Sequence, residues 1–511
     1  MQPAIEEEIP SSFQVAVLLA SVLVVALCGI VYELMIATVS SYLLGNSVYQ
    51  FSMTIGLFMF AMGIGSYLTR WFHSDLIGSF VLVEITVALI GGLSSTLLFL
   101  VFPYYAYYTA VMYVLILLIG TLVGIEIPLL TRILSRKSEL RESIANVLSL
   151  DYLGALIGSV AFPIILLPSL GLFRASFAVG LLNVVVGYLT VAAFGRSLPR
   201  ARLYRAAAIA VAVALIGGIF YSASITNFAE GQLFADQIIY RNQSPYQRII
   251  ATRSDRTGEM RLYLDGHLQF AARDEYRYHE ALVHPVMCLP GSRQQVLILG
   301  GGDGLAAREV LKYDDVERID LVDIDPAITE LCSTLAPIAE LNGGSLNDPR
   351  VVLHHDDAFV FVQQTAERFD RVIVDLPDPH NEVLTKLYSV EFYKLLRRCM
   401  ASGAAAVTQS SSPYVTREVF WSIARTLEAA SFNTHSYHVT VPSFGMWGFT
   451  LAAAGPPPAK FPIPVEKTQF MTAELMHAAG VFGKDLERID SPVNSMFEPC
   501  LYQLYRQGVM R

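Results

Sequence analysis

Charge is scarce in this sequence. Only 16% of its 511 residues are Asp, Glu, Lys or Arg, whereas a soluble globular domain carries about 25%. Hydrophobic residues make up 53%, so a large part of the chain is predicted to lie in a lipid bilayer. The formal net charge of -9 argues against a nucleic-acid partner and suits small cationic substrates.

Cysteine is also scarce, and its spacing matches none of the usual metal sites. The five cysteines include no CxxC pair; they are Cys28, Cys288, Cys332, Cys399 and Cys500. We expect ordinary core residues at these positions, and we expect no bound metal. The cysteines do not indicate a redox compartment.

Long apolar stretches fill the first half of the chain. About 20 residues are enough to cross the hydrocarbon of a bilayer. Seven stretches reach that length, at residues 13–35, 50–69, 77–101, 107–131, 151–173, 175–195 and 205–223. The sequence therefore predicts an acidic tail (1–12) and an α-helical membrane bundle of about seven spans (13–224), in a multi-pass protein of the cell membrane. The acidic tail and the later spans argue against a cleaved signal peptide.

Basic residues mark one side of this predicted bundle. They follow the second, fourth and sixth spans, at Arg70, Arg132, Arg136, Lys137, Arg141, Arg196, Arg200, Arg202 and Arg205. The loops on the other side offer only Arg174. Because basic loops stay in the cytoplasm, seven spans would place the C-terminal half outside the cytoplasm. One span more or fewer would reverse this, so the side of the C-terminal half stays open.

The pattern changes to strands after the last apolar stretch. Residues 225–290 alternate apolar and polar side chains between turn signals, which predicts a small β-hairpin domain. Short β-branched runs then alternate with helical stretches over 291–455, which predicts an α/β Rossmann-like domain of the methyltransferase type. Residues 456–511, which begin with a run of prolines, are predicted to be a C-terminal extension.

Carboxylates follow four successive strands of the predicted α/β domain. Asp303 lies in a Gly-rich loop after the first strand, and Asp323 and Asp357 follow the next two. Asp375 and Asp378 follow the fourth. The carboxyl ends of parallel strands meet at one edge of the sheet, where α/β folds bind ligands. A Gly-rich loop is a weak signal alone, but the four strand ends together predict an acidic ligand site.

The order of the motifs resembles the spermidine synthase (polyamine aminopropyltransferase) family. The matching segments, within roughly residues 236–455, are LYLDGHLQFAARDEYRYHEALVHPVM, VLILGGGDGLAAREVLKY, LVDIDPAI, HHDDAFVF, FDRVIVDLPDP and LYSVEFYKLLRR. The membrane half resembles the multi-span module fused to some bacterial members. The resemblance implies transfer of the aminopropyl group of decarboxylated S-adenosylmethionine to an amine, commonly putrescine, with release of methylthioadenosine. It implies no metal.

The resemblance also implies roles for nine residues. Asp375 would be the general base, because the acceptor amine has a pKa of about 10.4 and arrives protonated at neutral pH. The residues expected to hold the two substrates' amines are Tyr278, His279, Asp303 and Asp378. The residues expected to hold the nucleoside are Gln247, Asp303, Asp323 on the ribose, and Asp357 and Ala358 on the adenine.

The sequence departs from the family pattern near the acceptor. Leu376–Pro377 replaces small Ser or Thr residues between the two aspartates, and Asn381–Glu382–Val383 replaces a Gly-Pro-Ala. Phe444 replaces a Tyr that often helps to bind the acceptor. The catalytic carboxylates are retained, so these changes question the identity of the acceptor and not the reaction type.

Two other functions stay open from the sequence. The same fold could carry a methyltransferase that uses intact S-adenosylmethionine. The chain could instead be a polyamine transporter or sensor with a non-catalytic binding domain, because Glu33, Glu84 and Glu126 lie in or near the spans and intramembrane acids are often functional. Acids at such positions can also serve only to bind neighbouring helices. A homodimer is left open.

Overall fold

The computed structural model describes residues 10–44, 47–73, 75–102, 104–137, 139–234, 236–455 and 461–509. The chain divides into two compact units, with the boundary after residue 235. Most of the acidic tail predicted at 1–12, and the start of the extension predicted at 456–511, lie outside the described residues.

The first unit is a helical bundle with an apolar interior. Its helices are α1 Ser12–Leu44, α2 Ser47–Leu68, α3 Leu76–Val101, α4 Tyr105–Leu134, α5 Leu140–Ala161, α6 Leu167–Phe194 and α7 Ala201–Leu233. Apolar side chains cover these helices on most sides, which is typical of membrane spans. Among the described residues, six continuous helices are long and apolar enough to cross a membrane, and the fifth of them runs 55 residues from Leu140 to Phe194.

The 55-residue helix begins parallel to α1. Gly154 of α5 lies against the carbonyl of Leu23, and Gly158 lies against Leu27. Residue numbers therefore rise together along α1 and α5. The close approach also explains the glycines, because a Cβ atom at Gly154 would lie 2.2 Å from the Leu23 oxygen.

The same helix ends antiparallel to α1. The Gln14 amide donates to the carbonyl of Ala193 at 3.0 Å, and the Cys28 thiol lies 3.7 Å from the carbonyl of Val179. The chain must therefore reverse between α5 and α6. It does so at Gly171, whose φ of +69° and ψ of 176° are not helical and suit glycine. The apparent single helix is thus two helices of opposite direction.

Helices α2 and α4 pack parallel to each other. The Ser66 hydroxyl donates to the carbonyl of Gly124 at 2.9 Å, and the Arg132 guanidinium donates to the carbonyl of Thr69 at 3.1 Å. Residue numbers again rise together, so α2 and α4 share a direction. Other contacts show that α4 runs antiparallel to α1 and that α6 runs antiparallel to α3 and α7, so successive helices alternate in direction along the chain.

Helix α7 extends beyond the predicted end of the membrane domain. The predicted boundary between residues 224 and 225 falls inside α7, which ends at Leu233. The first strand starts at Gln237. The sequence prediction followed the end of the apolar stretch, but a helix continues after its apolar residues end when no strong breaker follows. The boundary of the predicted β-hairpin domain is corrected accordingly.

The second unit begins with a four-stranded antiparallel sheet in the order β1-β2-β3-β4. The strands are β1 Gln237–Gln243, β2 Arg248–Arg253, β3 Met260–Leu264 and β4 His267–Ala271. Helix α8, Glu275–Met287, follows and is almost wholly buried. Its position matters because it carries two of the predicted site residues.

A seven-stranded sheet forms the rest of this unit, in the order β10-β11-β9-β8-β5-β6-β7. Its strands are β5 Gln295–Gly300, β6 Arg318–Val322, β7 Val351–His354, β8 Phe369–Asp375, β9 Met400–Gln409, β10 Asn433–Val441 and β11 Gly445–Ala453. Strands β5 to β9 are parallel, whereas β11 runs antiparallel to both of its neighbours, β9 and β10. The chain order reverses between β5 and β8, which is the place where open α/β sheets bind ligands.

Helices cover this sheet. They are α9 Leu305–Leu311, α10 Pro326–Thr334, α11 Ala336–Leu341, α12 Ala358–Gln364, α13 Glu382–Thr385, α14 Val390–Arg398, α15 Arg417–Ala429, α16 Ala473–Ala479 and α17 Leu501–Val509. The fold matches the α/β domain that the alternation of strands and helices predicted.

The described part of the C-terminal extension belongs to the same unit. The buried carboxylate of Glu280 on α8 accepts the backbone N–H groups of Gln469, Phe470 and Met471 at 2.6 to 2.9 Å. The Trp421 indole donates to the carbonyl of Leu486 at 3.0 Å. These bonds satisfy buried polar groups that would otherwise be costly, so this segment is part of the domain's structure.

Candidate active site

A cavity of about 620 Å³ opens at the carboxyl ends of the parallel strands. All nine residues predicted for the site line it; they are Gln247, Tyr278, His279, Asp303, Asp323, Asp357, Ala358, Asp375 and Asp378. They come from the first sheet, from α8 and from four strand ends. The structure therefore brings the whole predicted set together.

Asp375, the predicted base, is the last residue of β8 and is bonded to Tyr278. The Tyr278 hydroxyl donates to its Oδ1 at 2.7 Å. Burial raises the pKa of Asp375 to about 6, although the nearby His279 and the Tyr278 hydrogen bond act in the opposite direction. A carboxylate with this pKa is ionised at neutral pH and accepts a proton more readily than an exposed one.

His279 brings a positive charge into this acidic site. Its Nδ1 lies 2.8 Å from Oε2 of Glu275, and Arg308 binds both oxygens of that carboxylate, at 2.8 and 3.0 Å. Burial opposes the charged imidazole, but the hydrogen bond and charge of Glu275 outweigh it and raise the pKa of His279 to about 9. The imidazolium stabilises the ionised forms of Asp303 and Asp375.

Asp303 lies close to the base because of a close backbone approach. Gly300 has a φ of +81°, and a Cβ atom there would lie 2.1 Å from the carbonyl oxygen of Asp375. Asp303 itself accepts the N–H of Leu305 at 2.9 Å, and its carbonyl accepts the Asn342 amide at 2.9 Å. Burial raises the pKa of Asp303. The loop thus holds a second carboxylate beside Asp375.

Asp323 follows β6 and is fixed by backbone groups. Its Oδ2 accepts the N–H of Gly302 and its Oδ1 accepts the N–H of Asp325, both at 3.0 Å. Burial raises the pKa of Asp323 to about 6. Each carboxylate oxygen can accept a further hydrogen bond, so the group can still bind a hydroxyl.

Asp378 lies in the loop after β8 and is buried with an incomplete set of partners. The Ser411 hydroxyl donates to its Oδ2 at 3.2 Å, whereas its Oδ1 makes no well-formed hydrogen bond within the described residues. Burial raises the pKa of Asp378 to about 6, and Gln409, Ser411 and Tyr505 partly offset this. A buried carboxylate oxygen without a donor suits a cationic ligand.

Asp357 and Ala358 form the start of α12. Asp357 caps the helix by accepting the N–H of Phe359 at 2.8 Å. Its other oxygen lies 2.6 Å from the ammonium of Lys386. The carboxylate is therefore already engaged at both oxygens, and Lys386 is an additional cavity residue that the sequence analysis missed.

Gln247 lies in the turn between β1 and β2, at the edge of the cavity. Its amide donates to Oδ2 of Asp325 at 3.0 Å, and the Ser244 hydroxyl donates to the same oxygen at 2.7 Å. Asp325 also caps α10 through the N–H of Ala327. The turn is therefore fixed to the α/β sheet by one buried carboxylate.

Aromatic rings form another wall of the cavity. Phe444 lies 5.2 Å from the Trp447 ring and 5.9 Å from the Tyr278 ring, measured between centroids. His267 and His380 also line the cavity and stack at 4.3 Å. Burial and the neighbouring His267 lower the pKa of His380 to about 4, and burial lowers the pKa of His267 as well.

The sequence analysis missed several of these cavity residues for a common reason. Tyr505 lines the cavity and comes from a segment far along the chain that matches no family motif, as does Ser411, which contacts Asp378. His380 lies in the loop that departs from the family pattern. His267 stands inside a matched segment, LYLDGHLQF, so it could have been singled out. Within the described ranges, no group of three or more His, Cys, Asp or Glu side chains could hold a metal ion.

Comparison with known proteins identifies the family. The Spermine/spermidine synthase domain family matches residues 275–460. A polyamine aminopropyltransferase of Leptospira interrogans is 42% identical over 485 residues, which cover 95% of this chain and 97% of that protein. The chain belongs to the polyamine aminopropyltransferase family. Polyamine aminopropyltransferase 2 of Ralstonia nicotianae is 43% identical over 510 residues, covering 97% of this chain and 99% of the relative.

Solved structures of the family were also found. The crystal structure of spermidine synthase from Thermotoga maritima is 27% identical, covers 49% of this chain and 88% of its own, and has a TM-score of 0.43. A spermidine synthase crystallised with the transition-state analogue AdoDATO gives the same values.

The polyamine aminopropyltransferase assignment settles the reaction type. The enzyme transfers an aminopropyl group to a polyamine substrate, and its family uses decarboxylated S-adenosylmethionine as the co-substrate. This excludes the two alternatives that the sequence left open: a methyltransferase, and a polyamine transporter or sensor with a non-catalytic binding domain.

The pH dependence of this aminopropyltransferase should report the buried carboxylates. Asp375 and Asp378 have raised pKa values of about 6, so their basic forms are lost as the pH falls through 6 and kcat/KM should fall with them. In Tyr278→Phe, Asp375 loses the hydrogen bond that lowers its pKa, so the acid limb should move up by about half to one pH unit.

The matched control is Tyr276→Phe, on the same helix but outside the cavity lining, which should leave the profile unchanged. An acid limb in the same place for Tyr278→Phe and the wild type would contradict this role of the hydroxyl.

Proposed function

We propose that putrescine is the main acceptor, giving spermidine and methylthioadenosine, and that Asp375 is the general base. The observation that carries the proposal is the buried Tyr278–Asp375 hydrogen bond of 2.7 Å, which faces a cavity lined by further carboxylates. A diamine needs this kind of environment, because carboxylates bind ammonium groups and one of them must remove a proton before attack.

The proposed reaction begins with proton transfer to Asp375. The acceptor ammonium gives a proton to the carboxylate, and the neutral amine then attacks the aminopropyl carbon that is bonded to the sulfonium. The new C–N bond forms as the C–S bond breaks, and the bonding pair passes to sulfur. Methylthioadenosine leaves as a neutral thioether. Tyr278 and Asp378 would orient the attacking amine, because both line the cavity beside the base.

Three further positions would hold the donor. Asp303 would bind the ammonium of the aminopropyl arm, which accounts for a carboxylate inside a Gly-rich loop. Asp323 would bind the ribose hydroxyls, and Asp357 with the Ala358 backbone would bind the adenine edge. Lys386 supports this use of Asp357, because its ammonium, 2.6 Å from Oδ2, holds the carboxylate in place at the edge of the cavity.

His279 and Gln247 are the remaining proposed contacts. Both line the cavity, and both are fixed by buried carboxylates, His279 by Glu275 and Gln247 by Asp325. Side chains held in this way are pre-organised to close over the amine or the nucleoside.

Substitution of the two central carboxylates should separate chemistry from donor binding. Asp375→Asn keeps the shape but removes the base, so kcat should fall by about 10²–10⁴-fold while methylthioadenosine binding stays close to that of the wild type. Asp303→Asn should weaken the decarboxylated donor by about 10- to 100-fold and methylthioadenosine much less, because only the donor has an ammonium to lose its partner.

The measurements are single-turnover kinetics and calorimetric binding of both ligands. Asp356→Asn, an exposed carboxylate at the same cavity, serves as the matched control and should change neither quantity strongly. Near wild-type turnover in Asp375→Asn, or equal weakening of both ligands in Asp303→Asn, would refute the respective role.

Selection of the acceptor should be broad. Phe444 cannot offer the hydroxyl of the usual Tyr, and a missing hydrogen-bonding group cannot discriminate by that bond. We therefore expect putrescine to be preferred but longer di- and triamines to be used too, as seen by mass spectrometry of the products from an amine panel. Phe444→Tyr should narrow the panel. Exclusive use of putrescine by the wild type would contradict this expectation.

We further propose that the first unit crosses the membrane seven times. The alternation in direction of α1 to α7 supports this number, since α5 and α6 run in opposite directions relative to α1. The basic residues after α2, α4 and α6 then share one end of the bundle. By the charge rule that end is cytoplasmic, which favours an extracytoplasmic transferase domain. The expected synthesis of the donor in the cytosol argues for the opposite side.

Reporter fusions test this orientation. A reporter active on only one side of the membrane should report outside the cytoplasm when fused at residue 228, and inside when fused in the 132–141 loop. The loop fusion is the internal control, because the basic residues of that loop place it in the cytoplasm whatever the number of spans. A cytoplasmic signal at residue 228 would show the orientation to be wrong.

A further inference from the structure

Two carboxyl groups meet in the interior of the helical unit, away from the transferase site. Glu84 of α3 and Glu126 of α4 are both 0% exposed. Their side chains lie within hydrogen-bond reach of each other. Each lies eight residues from the same end of the bundle, at Leu76 of α3 and Leu134 of α4, which places both about 12 Å from that end.

Other helices contribute polar groups to the same place. The Asn183 amide of α6 donates to Oε2 of Glu84 at 3.0 Å, and the Tyr32 hydroxyl of α1 donates to Oδ1 of Asn183 at 3.4 Å. Gly91 of α3 makes room for the Tyr32 ring, because a Cβ atom there would lie 2.6 Å from it. The packing of α3 is therefore shaped around these side chains.

Glu126 is aimed at this cluster without a partner. Neither of its carboxyl oxygens accepts a hydrogen bond from any described donor, and Oε1 of Glu84 has none either. Two ionised carboxylates in contact would repel each other, and each would lose its hydration in a dry interior. A single proton between them removes one charge and supplies the missing donor.

We propose that Glu84 and Glu126 form a proton-binding site of the helical unit, in which the two carboxyls hold one proton between them. A proton fits because the carboxyls contact each other directly, whereas a metal or an organic ammonium would have to separate them. Consistent with this, the described residues contain no cluster of three or more side chains that could hold a metal ion. The proposal is independent of the acceptor and of the roles proposed at the transferase site.

Asp151 of α5 is the group through which the proton enters and leaves. Its charge acts on Glu126, and it is only partly buried. Within the described part of the bundle, the other titratable groups that face the pair are Cys28 and Tyr32, both on α1 and both fully buried. When the pair releases its proton, the proton passes to Asp151 and then to water, and the pair is left as two carboxylates. Carboxyl relays of this kind are typical of membrane proteins that move or sense protons.

Infrared spectroscopy of the purified full-length chain tests the proposal. At about pH 8, far above the ordinary carboxyl pKa of about 4, the wild type should retain the C=O stretching band of one protonated carboxyl. Glu84→Gln and Glu126→Gln should each change its frequency, and the double variant should lack it. Glu142→Gln, an exposed acid of α5, is the matched control and should keep the wild-type band.

Transfer into D₂O tests the route. The wild-type band should shift as the proton exchanges, and Asp151→Asn should slow that shift at least tenfold without removing the band. Aminopropyl transfer and helix content should remain unchanged in every variant, which separates loss of the site from loss of the fold. If the double variant fails to fold, the two single variants decide the matter.

A wild type without the band, or a band unchanged by both single substitutions, would overturn the proton site. Exchange in Asp151→Asn that is as fast as in the wild type would overturn the proposed route.

Discussion

The burial of several carboxylates in one cavity is the constraint on which the transferase unit depends. Asp303, Asp323, Asp375 and Asp378 meet there because parallel strands place their carboxyl ends at one edge. Such a group of like charges is unfavourable without compensation. Backbone N–H groups, the Tyr278 hydroxyl and the imidazolium of His279 compensate part of this charge. The empty cavity therefore keeps an excess of negative charge, which suits cationic ligands.

The positions of the strand ends were predictable from the sequence. The side-chain pattern of each strand shows where it ends, and the order of strands along the chain shows at which edge of the sheet that end lies. Asp303, Asp323, Asp357 and Asp375 each follow a β-branched run, and a parallel sheet leaves little freedom in where such residues meet. The contacts that complete the site were not predictable in the same way. Ser411 and Tyr505 reach Asp378 from segments that follow long after it, and no local pattern relates them to it. The motif match located the strand-end residues that line the cavity, while tertiary packing determines the residues that contact them.

The hydropathy of the sequence predicted the apolar stretches better than it predicted the residues at which the helices end. It predicted separate stretches around residues 151–173 and 175–195, and the contacts of α5 and α6 with α1 show two helices of opposite direction there, joined through Gly171. It ended the last stretch at residue 223, whereas α7 continues to Leu233. Apolarity reports burial or lipid contact, but backbone hydrogen bonding decides where a helix stops. Neither signal reveals which buried acids lie together, since that depends on how α3, α4 and α6 pack.

The acidity of the transferase cavity also affects the departure of the product. Transfer adds a nitrogen to the acceptor, so the polyamine that leaves carries one more positive charge than the one that entered. Carboxylates attract this product more strongly than its precursor, while they attract the neutral thioether less than the sulfonium from which it came. The acidity that favours capture of the substrates therefore opposes escape of the new polycation, and rising salt weakens both effects.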